Sequence, residues 1–156
     1  MNTNPVAIVT GGSRGVGAAT ATLLASKGWN VTVTCTSSIE DADSIVKECE
    51  TFGVEALAIS ADVSDDDACV NTAQQTLKKW GRIDALVNNA GTTKFVFDHG
   101  DLDGLDAEDF LHIYKVNVVG PFQMVRACKE SLLTSDNPSV VNISSIAGIK
   151  GIGSCL

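Results

Sequence analysis

The sequence predicts an α/β fold in which helices cover both faces of a parallel β-sheet. Short apolar segments alternate with longer amphipathic ones along the 156 residues, and this alternation is typical of repeated strand–helix–strand units. The short segments are apolar at successive positions, as in Val6–Val9, which indicates strands buried on both faces. Right-handed crossovers then give a doubly wound, Rossmann-type sheet with strand order 3-2-1-4-5.

Each predicted element ends at a residue that favours a boundary. The predicted strands are Val6–Val9, Asn30–Cys35, Val54–Ser60, Ile83–Val87 and Ser139–Ile143. The predicted helices are Val16–Lys27, a helix from Ser37 to about Phe52, a helix from Ser64 to about Trp80, and Ala107–Leu133. Gly28, Gly53 and Gly81 follow the first three helices, as expected of glycine beyond a helix end. A loop over Thr92–Leu105 precedes the last helix.

Two of the helix starts carry capping signals. Ser37-Ser-Ile-Glu40 has the spacing of a capping box. Ser64 offers an N-cap, and the three carboxylates of Asp65–Asp67 favour the positive end of the following helix. That helix is predicted to bury one face, formed by Cys69, Val70, Ala73, Leu77 and Trp80.

Composition narrows the possible partners. The net charge of −8 argues against nucleic acid and anionic membrane as partners, since both attract basic surfaces. The apolar run after the polar start is too short for a signal peptide or a membrane span. Five scattered cysteines without a CxxC pair favour reduced thiols and a cytoplasmic location. No metal site is expected, because the two histidines, His99 and His112, are separated by a loop-like acidic stretch.

The strongest motif is glycine-rich and lies between the first strand and the first helix. Thr10-Gly-Gly-Ser13-Arg14-Gly15-Val16-Gly17 can present backbone N–H groups and a helix N-terminus to a pyrophosphate. Gly11 would allow the tight turn, Gly15 a close approach of the ligand, and Gly17 close packing of the helix on a strand. A merely glycine-rich turn is the alternative. The sequence therefore predicts a single dinucleotide-binding domain over residues 1–156.

The end of the second strand indicates which dinucleotide binds. An NAD site commonly places Asp or Glu there, whereas this chain has hydroxyl side chains at Thr36 and Ser37. The nearest acidic residues, Glu40 and Asp41, belong to the next helix. Arg14 could add a cation for a 2′-phosphate, or could be an ordinary exposed charge. These residues favour NADP(H) over NAD(H).

A second signal lies inside the last predicted helix. Pro121 cannot donate a hydrogen bond to the carbonyl of Asn117 and crowds that carbonyl. The sequence therefore predicts a kink with a free main-chain carbonyl at Asn117, and the alternative is a helix distortion without a functional role.

Four motifs together make the chain resemble the short-chain dehydrogenase/reductase family. They are TGxxxGxG at Thr10–Gly17, the pair Asp62-Val63, NNAG at Asn88–Gly91, and the serine-containing segment Val141–Gly148. The resemblance extends over essentially the whole chain and leans towards 3-oxoacyl-carrier-protein reductases and related ketoreductases.

The resemblance implies a role for several of these residues. It implies cofactor contacts at Asp62 and Val63, which would meet the adenine, and along Asn89, Ala90 and Gly91. It implies that Ser145 hydrogen-bonds the substrate carbonyl, and that the main chain of Asn117 holds a water in a proton relay. It also implies hydride transfer between the cofactor and a carbonyl or alcohol substrate, in a homodimer or homotetramer.

The chain departs from the family in one respect. The family's catalytic Tyr and Lys form a YxxxK motif shortly after the catalytic Ser, which would fall just beyond Leu156, and the only tyrosine, Tyr114, belongs to another element. We therefore expect a domain that is incomplete at its C-terminus and lacks its further strands, with an exposed apolar sheet edge. Two alternatives stay open: a cofactor-binding fragment without turnover, and an epimerase or dehydratase of the extended relatives.

Overall fold

The computed structural model describes residues 4–98 and 100–150 and contains the predicted parallel sheet. Its strands are β1 (Val6–Val9), β2 (Asn30–Cys35), β3 (Ala56–Ser60), β4 (Ala85–Asn88) and β5 (Ser139–Asn142). They pair in parallel in the order β3-β2-β1-β4-β5, which confirms the Rossmann-type order predicted from the sequence. The helices are α1 (Gly15–Ser26), α2 (Ile39–Glu50), α3 (Asp66–Trp80), α4 (Ala107–Tyr114), α5 (Gly120–Thr134) and α6 (Ala147–Lys150), and Leu102–Gly104 forms one 3₁₀ turn.

Side chains of β1 point alternately into two separate cores, because successive strand residues face opposite sides of a sheet. Val9 packs into a core shared with α1 and α2, through residues such as Ala21 and Ala42. Ile8 packs into a second core shared with α3 and α5, through residues such as Ala73 and Met124. The sheet is thus covered on both faces, and its carboxyl edge is left for loops.

At the amino edge of the sheet, opposite the carboxyl edge, the buried carboxylate of Asp84 connects several elements. Asp84, just before β4, accepts a hydrogen bond from the backbone N–H of Val6 at 2.8 Å and from the Ser135 hydroxyl at 2.6 Å. Arg82 binds both of its oxygens, at 2.8 and 2.7 Å. These bonds join β1, β4 and the end of α5 at the amino edge of the sheet.

Both predicted caps are displaced by one residue. Helix α2 begins after Ser38, which makes no side-chain cap, so the capping box predicted from Ser37 to Glu40 does not form. Helix α3 is capped by Asp65, whose carboxylate accepts the Asp67 N–H at 3.0 Å, and not by Ser64. At the start of α3, the Asp65 carboxylate thus accepts a backbone N–H group that a Ser64 cap could have accepted.

The buried face of α3 is more polar than predicted. Cys69 and Ala73 are buried as expected, but Val70 is 38% exposed. Thr72 and Thr76 are fully buried in its place, because each hydroxyl donates to a carbonyl four residues earlier in the helix. Threonine can therefore occupy a core position once its hydrogen bond is satisfied locally.

The predicted helix 107–133 is interrupted where the Asn117–Pro121 spacing indicated. Residues Lys115–Val119 form one stretch of π-helix, and Pro121 is the second residue of α5, which continues directly from it. The distortion is thus a π-turn that joins α4 to α5, and the free carbonyl at Asn117 stays a prediction.

The far edge of the sheet is apolar and exposed. All four residues of β5 are exposed, including Val140 at 43% and Val141 at 47%. β5 therefore forms the exposed apolar sheet edge that was predicted from the sequence. Within residues 4–98 and 100–150, no helix is long and apolar enough to cross a membrane.

Candidate functional site

A cavity of about 390 Å³ lies at the carboxyl edge of the sheet, where the loops after β1, β2, β3 and β4 meet. Open α/β sheets bind their ligands at this edge, where the strand order reverses. The lining residues come from the glycine-rich loop (Gly11, Ser13, Arg14), from the end of β2 and the start of α2 (Cys35, Thr36, Ser37, Ser38, Asp41), from the loop after β3 (Ala61, Asp62, Val63), from the loop after β4 (Asn89, Ala90, Gly91, Thr92), and from α4 and the π-turn (His112, Val116).

Ten of the sequence-predicted site residues share this cavity. They are Gly11, Ser13, Arg14, Thr36, Ser37, Asp62, Val63, Asn89, Ala90 and Gly91. Gly15, Val16 and Gly17 form the first turn of α1 beside it but are not among its lining residues. Asn117 and Ser145 also lie outside the lining.

The glycines of the loop leave room for a ligand and for a close packing of loops. Gly11 has φ +61°, and a Cβ there would lie 2.9 Å from the Cα of Ala90. Gly15 has φ +56° and faces open space, so nothing crowds the start of α1. A Cβ on Gly17 would lie 2.4 Å from Nδ2 of Asn89 and 2.5 Å from the Gly11 carbonyl oxygen. Gly17 therefore packs closely against the glycine-rich loop and Asn89, which directly follow the ends of β1 and β4.

Thr10 and Asn89 hold the loops after β1 and β4 together. The Thr10 hydroxyl oxygen accepts the N–H groups of Asn89 and Ala90, both at 3.0 Å. The Asn89 amide donates to the carbonyls of Thr10 and Gly11, both at 2.9 Å. These four bonds set the position of the glycine-rich loop relative to the Asn-Asn-Ala-Gly segment.

The N-cap residue of α1 leaves the start of the helix without a side-chain cap. Arg14 is its N-cap residue, with an extended backbone and no side-chain cap, and the first turn contains no acidic residue. The positive end of the helix dipole and its N–H groups are therefore available to an anion. The Arg14 side chain adds a formal positive charge to the same wall of the cavity.

The region beyond β2 combines hydroxyls with a carboxylate. Thr36, Ser37 and Ser38 line the cavity as expected of a 2′-phosphate site, but so does Asp41. The sequence correctly places Asp41 in the next helix, but it does not show that the first turn of α2 borders the cavity. An acidic group in this position can be inferred only once the helix start is known to the residue.

The wall formed by Asp62 and Val63 is held from two sides. The Asp62 carboxylate accepts the Ser64 N–H at 2.8 Å. The Val63 carbonyl accepts the side-chain amide of buried Gln123 on α5 at 2.8 Å, and the Cys69 thiol at 3.4 Å. Gln123 was not predicted, because nothing in the sequence distinguishes a buried glutamine from a surface one.

Asn117 connects two segments of the site through its side-chain amide. Its Oδ1 accepts the Thr92 N–H at 2.9 Å, and its Nδ2 donates to the Thr92 carbonyl at 2.8 Å. This reciprocal pair ties the π-turn to the loop that follows Gly91, and Thr92 lines the cavity.

Ser145 lies in the loop after β5, on the same edge of the sheet. Its side-chain oxygen accepts the Ala147 N–H at 3.2 Å, and its carbonyl accepts the Gly148 N–H. The residue is exposed. Because the hydroxyl acts as an acceptor in this bond, its proton is available to another acceptor.

The cavity contains neither an activated thiol nor a metal cluster among the described residues. Burial is the main cause that raises the pKa of Cys35, and nearby Asp43, Glu40 and Asp41 raise it further. Cys35 is thus a neutral lining group near pH 7, since nucleophilic cysteine requires a lowered pKa. No group of three or more His, Cys, Asp or Glu residues in the described ranges could hold a metal ion.

Two of the lining residues that sequence reasoning missed come from α4 and the π-turn. Val116 is buried, and His112 reaches the same cavity from one helical turn earlier. From the sequence, His112 was weighed only as a metal ligand, and its place in the cavity wall was not predicted. His99, considered beside it, lies outside the described residues.

Comparison with known proteins supplies the family. The profile described as short chain dehydrogenase matches residues 5–155. A 3-oxoacyl-[acyl-carrier-protein] reductase from Synechocystis is 38% identical over 149 residues, which cover 96% of this chain and 59% of that protein.

Solved structures agree with this assignment. A short chain dehydrogenase from Burkholderia cenocepacia in complex with NADP has 32% identity and a TM-score of 0.88, covering 99% of this chain and 61% of that one. An NAD⁺-bound xylitol dehydrogenase has 29% identity and a TM-score of 0.87, covering 99% and 58%. The chain thus spans about three fifths of the length of these relatives. Profile, sequence and fold all agree over nearly every residue, and the chain belongs to the short-chain dehydrogenase/reductase family.

Proposed function

We propose that the chain binds a nicotinamide dinucleotide in the cavity at the carboxyl edge of the sheet, with NADP(H) favoured over NAD(H). The observation that carries this proposal is the start of α1, which directly follows the glycine-rich loop. Its N-cap residue makes no side-chain cap, and its first residue, Gly15, faces open space. A Cβ at Gly15 would occupy that space, and the backbone N–H groups there suit a pyrophosphate. The residues present therefore fit the cofactor.

Each part of the cofactor has candidate partners on the cavity wall. The N-terminus of α1 and Ser13 would hold the pyrophosphate. Arg14, with the hydroxyls of Thr36 and Ser37, would hold a 2′-phosphate, since a guanidinium pairs well with phosphate oxygens. Asp62 and Val63 would border the adenine, and Asn89, Ala90 and Gly91 the remainder of the molecule.

We further propose that these residues belong to an oxidoreductase acting on a carbonyl or alcohol substrate. The cofactor, when bound, supplies or accepts the hydride. Ser145 has a hydroxyl proton available to a substrate carbonyl oxygen, because its oxygen already accepts the Ala147 N–H. Asn117 positions Thr92 beside the cavity and, by resemblance to the family, contributes its main chain to a proton relay. The name of the Synechocystis relative favours a 3-oxoacyl thioester as substrate. We also propose a cytoplasmic homodimer or homotetramer.

One observation favours a second candidate, cofactor binding without turnover by these 156 residues. The only tyrosine, Tyr114, is 58% exposed on α4 and does not line the cavity. A general acid must lie within hydrogen-bond reach of the group that it protonates. Tyr114 is therefore not placed to protonate a carbonyl in this cavity.

Calorimetric titration with NADPH and NADH tests the proposal. We expect both cofactors to bind, NADPH more tightly, and Arg14→Gln to weaken NADPH binding about tenfold while leaving NADH nearly unchanged. Lys27→Gln is the matched control, because it removes one positive charge from the opposite end of α1. Failure of both cofactors to bind would refute the proposal.

The rate of NADPH oxidation with a 3-oxoacyl thioester then separates the two candidates. Turnover supports the oxidoreductase, and normal cofactor binding without turnover supports the second candidate. Conversion of a sugar nucleotide in place of ketone reduction would favour an epimerase.

A further inference from the structure

Asp41 brings a negative charge to the wall of the cavity that carries Arg14. Both residues line the same cavity, together with Thr36 and Ser37. Asp41 occupies the third position of α2, and the residue before it, Glu40, is also exposed but does not line the cavity. Of these two adjacent acidic residues, Asp41 is therefore the one at the ligand site.

Among the residues that the structure describes, the Asp41 carboxylate has no hydrogen-bonding partner. Its position in the first turn of α2 would suit a capping box, but the N-cap Ser38 makes no side-chain cap. Across residues 4–98 and 100–150, no hydrogen bond or ion pair joins the Asp41 carboxylate to another residue. Helix-dipole stabilisation accounts for Asp41 and Glu40 alike, so it does not explain why Asp41 alone lines the cavity.

We propose that Asp41 is a specificity-determining residue that limits the preference for NADPH over NADH. This inference rests on the proposed binding of the cofactor in this cavity. A carboxylate can accept a hydrogen bond from a ribose 2′-hydroxyl, and it repels a 2′-phosphate. Asp41 thus opposes Arg14, which attracts the phosphate.

The arrangement assigns separate roles to three kinds of group. Hydroxyls at Thr36 and Ser37 can donate to a phosphate and can also accept from a ribose hydroxyl, so they serve either cofactor. The selectivity then depends on the two opposite charges, Arg14 and Asp41. A site with both charges binds both cofactors within a modest factor of each other.

Asp41→Asn tests this inference, because asparagine keeps the size of the side chain and removes the charge. We expect NADPH to bind about five- to tenfold more tightly and NADH to bind equally or slightly more weakly. The paired probes adenosine 2′,5′-bisphosphate and 5′-AMP should show the same difference, because they vary only the 2′-phosphate. The gain for the bisphosphate should shrink at high salt, since Asp41 is exposed.

Glu40→Gln is the matched control. It removes the neighbouring charge from the same helical turn, and we expect less than a twofold change for either cofactor. If wild type binds the cofactors but Asp41→Asn does no more than Glu40→Gln, the inference about Asp41 is overturned while the proposed function stands. If wild type binds neither cofactor nor either probe, the proposed function fails and the inference fails with it.

Discussion

Gly17→Ala places one methyl group where the structure has no room for it. The added Cβ would lie 2.4 Å from Nδ2 of Asn89, 2.5 Å from the Gly11 carbonyl oxygen and 2.9 Å from the Gly12 Cα. Two of these three neighbours are backbone atoms, so a change of side-chain rotamer cannot relieve the overlap. The glycine-rich loop and Asn89 must both move away from α1.

The expected cost follows from what that movement breaks. Overpacking a buried site costs about 1–3 kcal/mol. The Asn89 amide also loses its bonds to the carbonyls of Thr10 and Gly11, at about 1 kcal/mol each. Because partial relaxation recovers some of this, we expect the free energy of unfolding to fall by about 2–4 kcal/mol. Affinity for NADPH should fall at least tenfold, since the displaced loop is the proposed pyrophosphate cradle.

Urea unfolding and NADPH titration measure the two effects. The matched control is Gly148→Ala on α6, where a Cβ meets nothing within 4 Å and φ is not positive. We expect that variant to be as stable as wild type or slightly more stable. Wild-type stability and wild-type NADPH affinity in Gly17→Ala would show that the loop tolerates a side chain, and the steric argument would be wrong.

Two further predictions concern side chains whose hydrogen bonds connect separate segments at the two edges of the sheet, Asp84 and Asn117. Burial acts to raise the pKa of Asp84, but hydrogen bonds from Arg82, Ser135 and the Val6 N–H outweigh it and hold that pKa below its usual value. The stabilisation is therefore complete above the unfolded-state pKa near ~3.9 and is lost as the pH falls through the lower folded value. Asp84→Asn should cost about 2 kcal/mol at pH 7 and progressively less below about pH 4 in urea unfolding; a difference independent of pH would contradict this. Asn117→Asp should weaken NADPH binding several-fold above about pH 5, because the carboxylate replaces the N–H donor to the Thr92 carbonyl. Unchanged binding would show that the position of Thr92 does not affect the cofactor.

The sheet was predictable because burial on both faces leaves a direct pattern in the sequence. All four residues of β1 and all six of β2 are buried, and both read as unbroken apolar or Val/Thr runs. The glycine-rich loop was equally predictable, since few residues other than glycine tolerate the backbone conformation at Gly11 and the close packing at Gly17.

The unpredicted parts depend on single-residue geometry or on long-range contacts. The residue at which α2 begins decides on which side of the helix Asp41 lies. Either Ser37 or Ser38 could be the N-cap residue by amino-acid type, and the structure has Ser38 there. Gln123 reaches the Val63 carbonyl across 60 residues of sequence. Such a contact leaves no local pattern, because the partner of a buried amide is chosen by the fold.

The buried hydroxyl of Thr10 positions two of the loops that line the cavity. Thr10 is 1% exposed, and its oxygen accepts the N–H groups of Asn89 and Ala90. Its own N–H continues the β1–β4 ladder by donating to the Val87 carbonyl at 3.0 Å. Leaving these two partly buried N–H groups without an acceptor would cost up to about 1–3 kcal/mol each, so valine, which has a similar shape without the hydroxyl, would weaken the connection between the two loops. The pairing of β1 with β4 therefore sets the distance between the proposed pyrophosphate cradle and the Asn-Asn-Ala-Gly segment. The position of both loops depends on the regular sheet next to them.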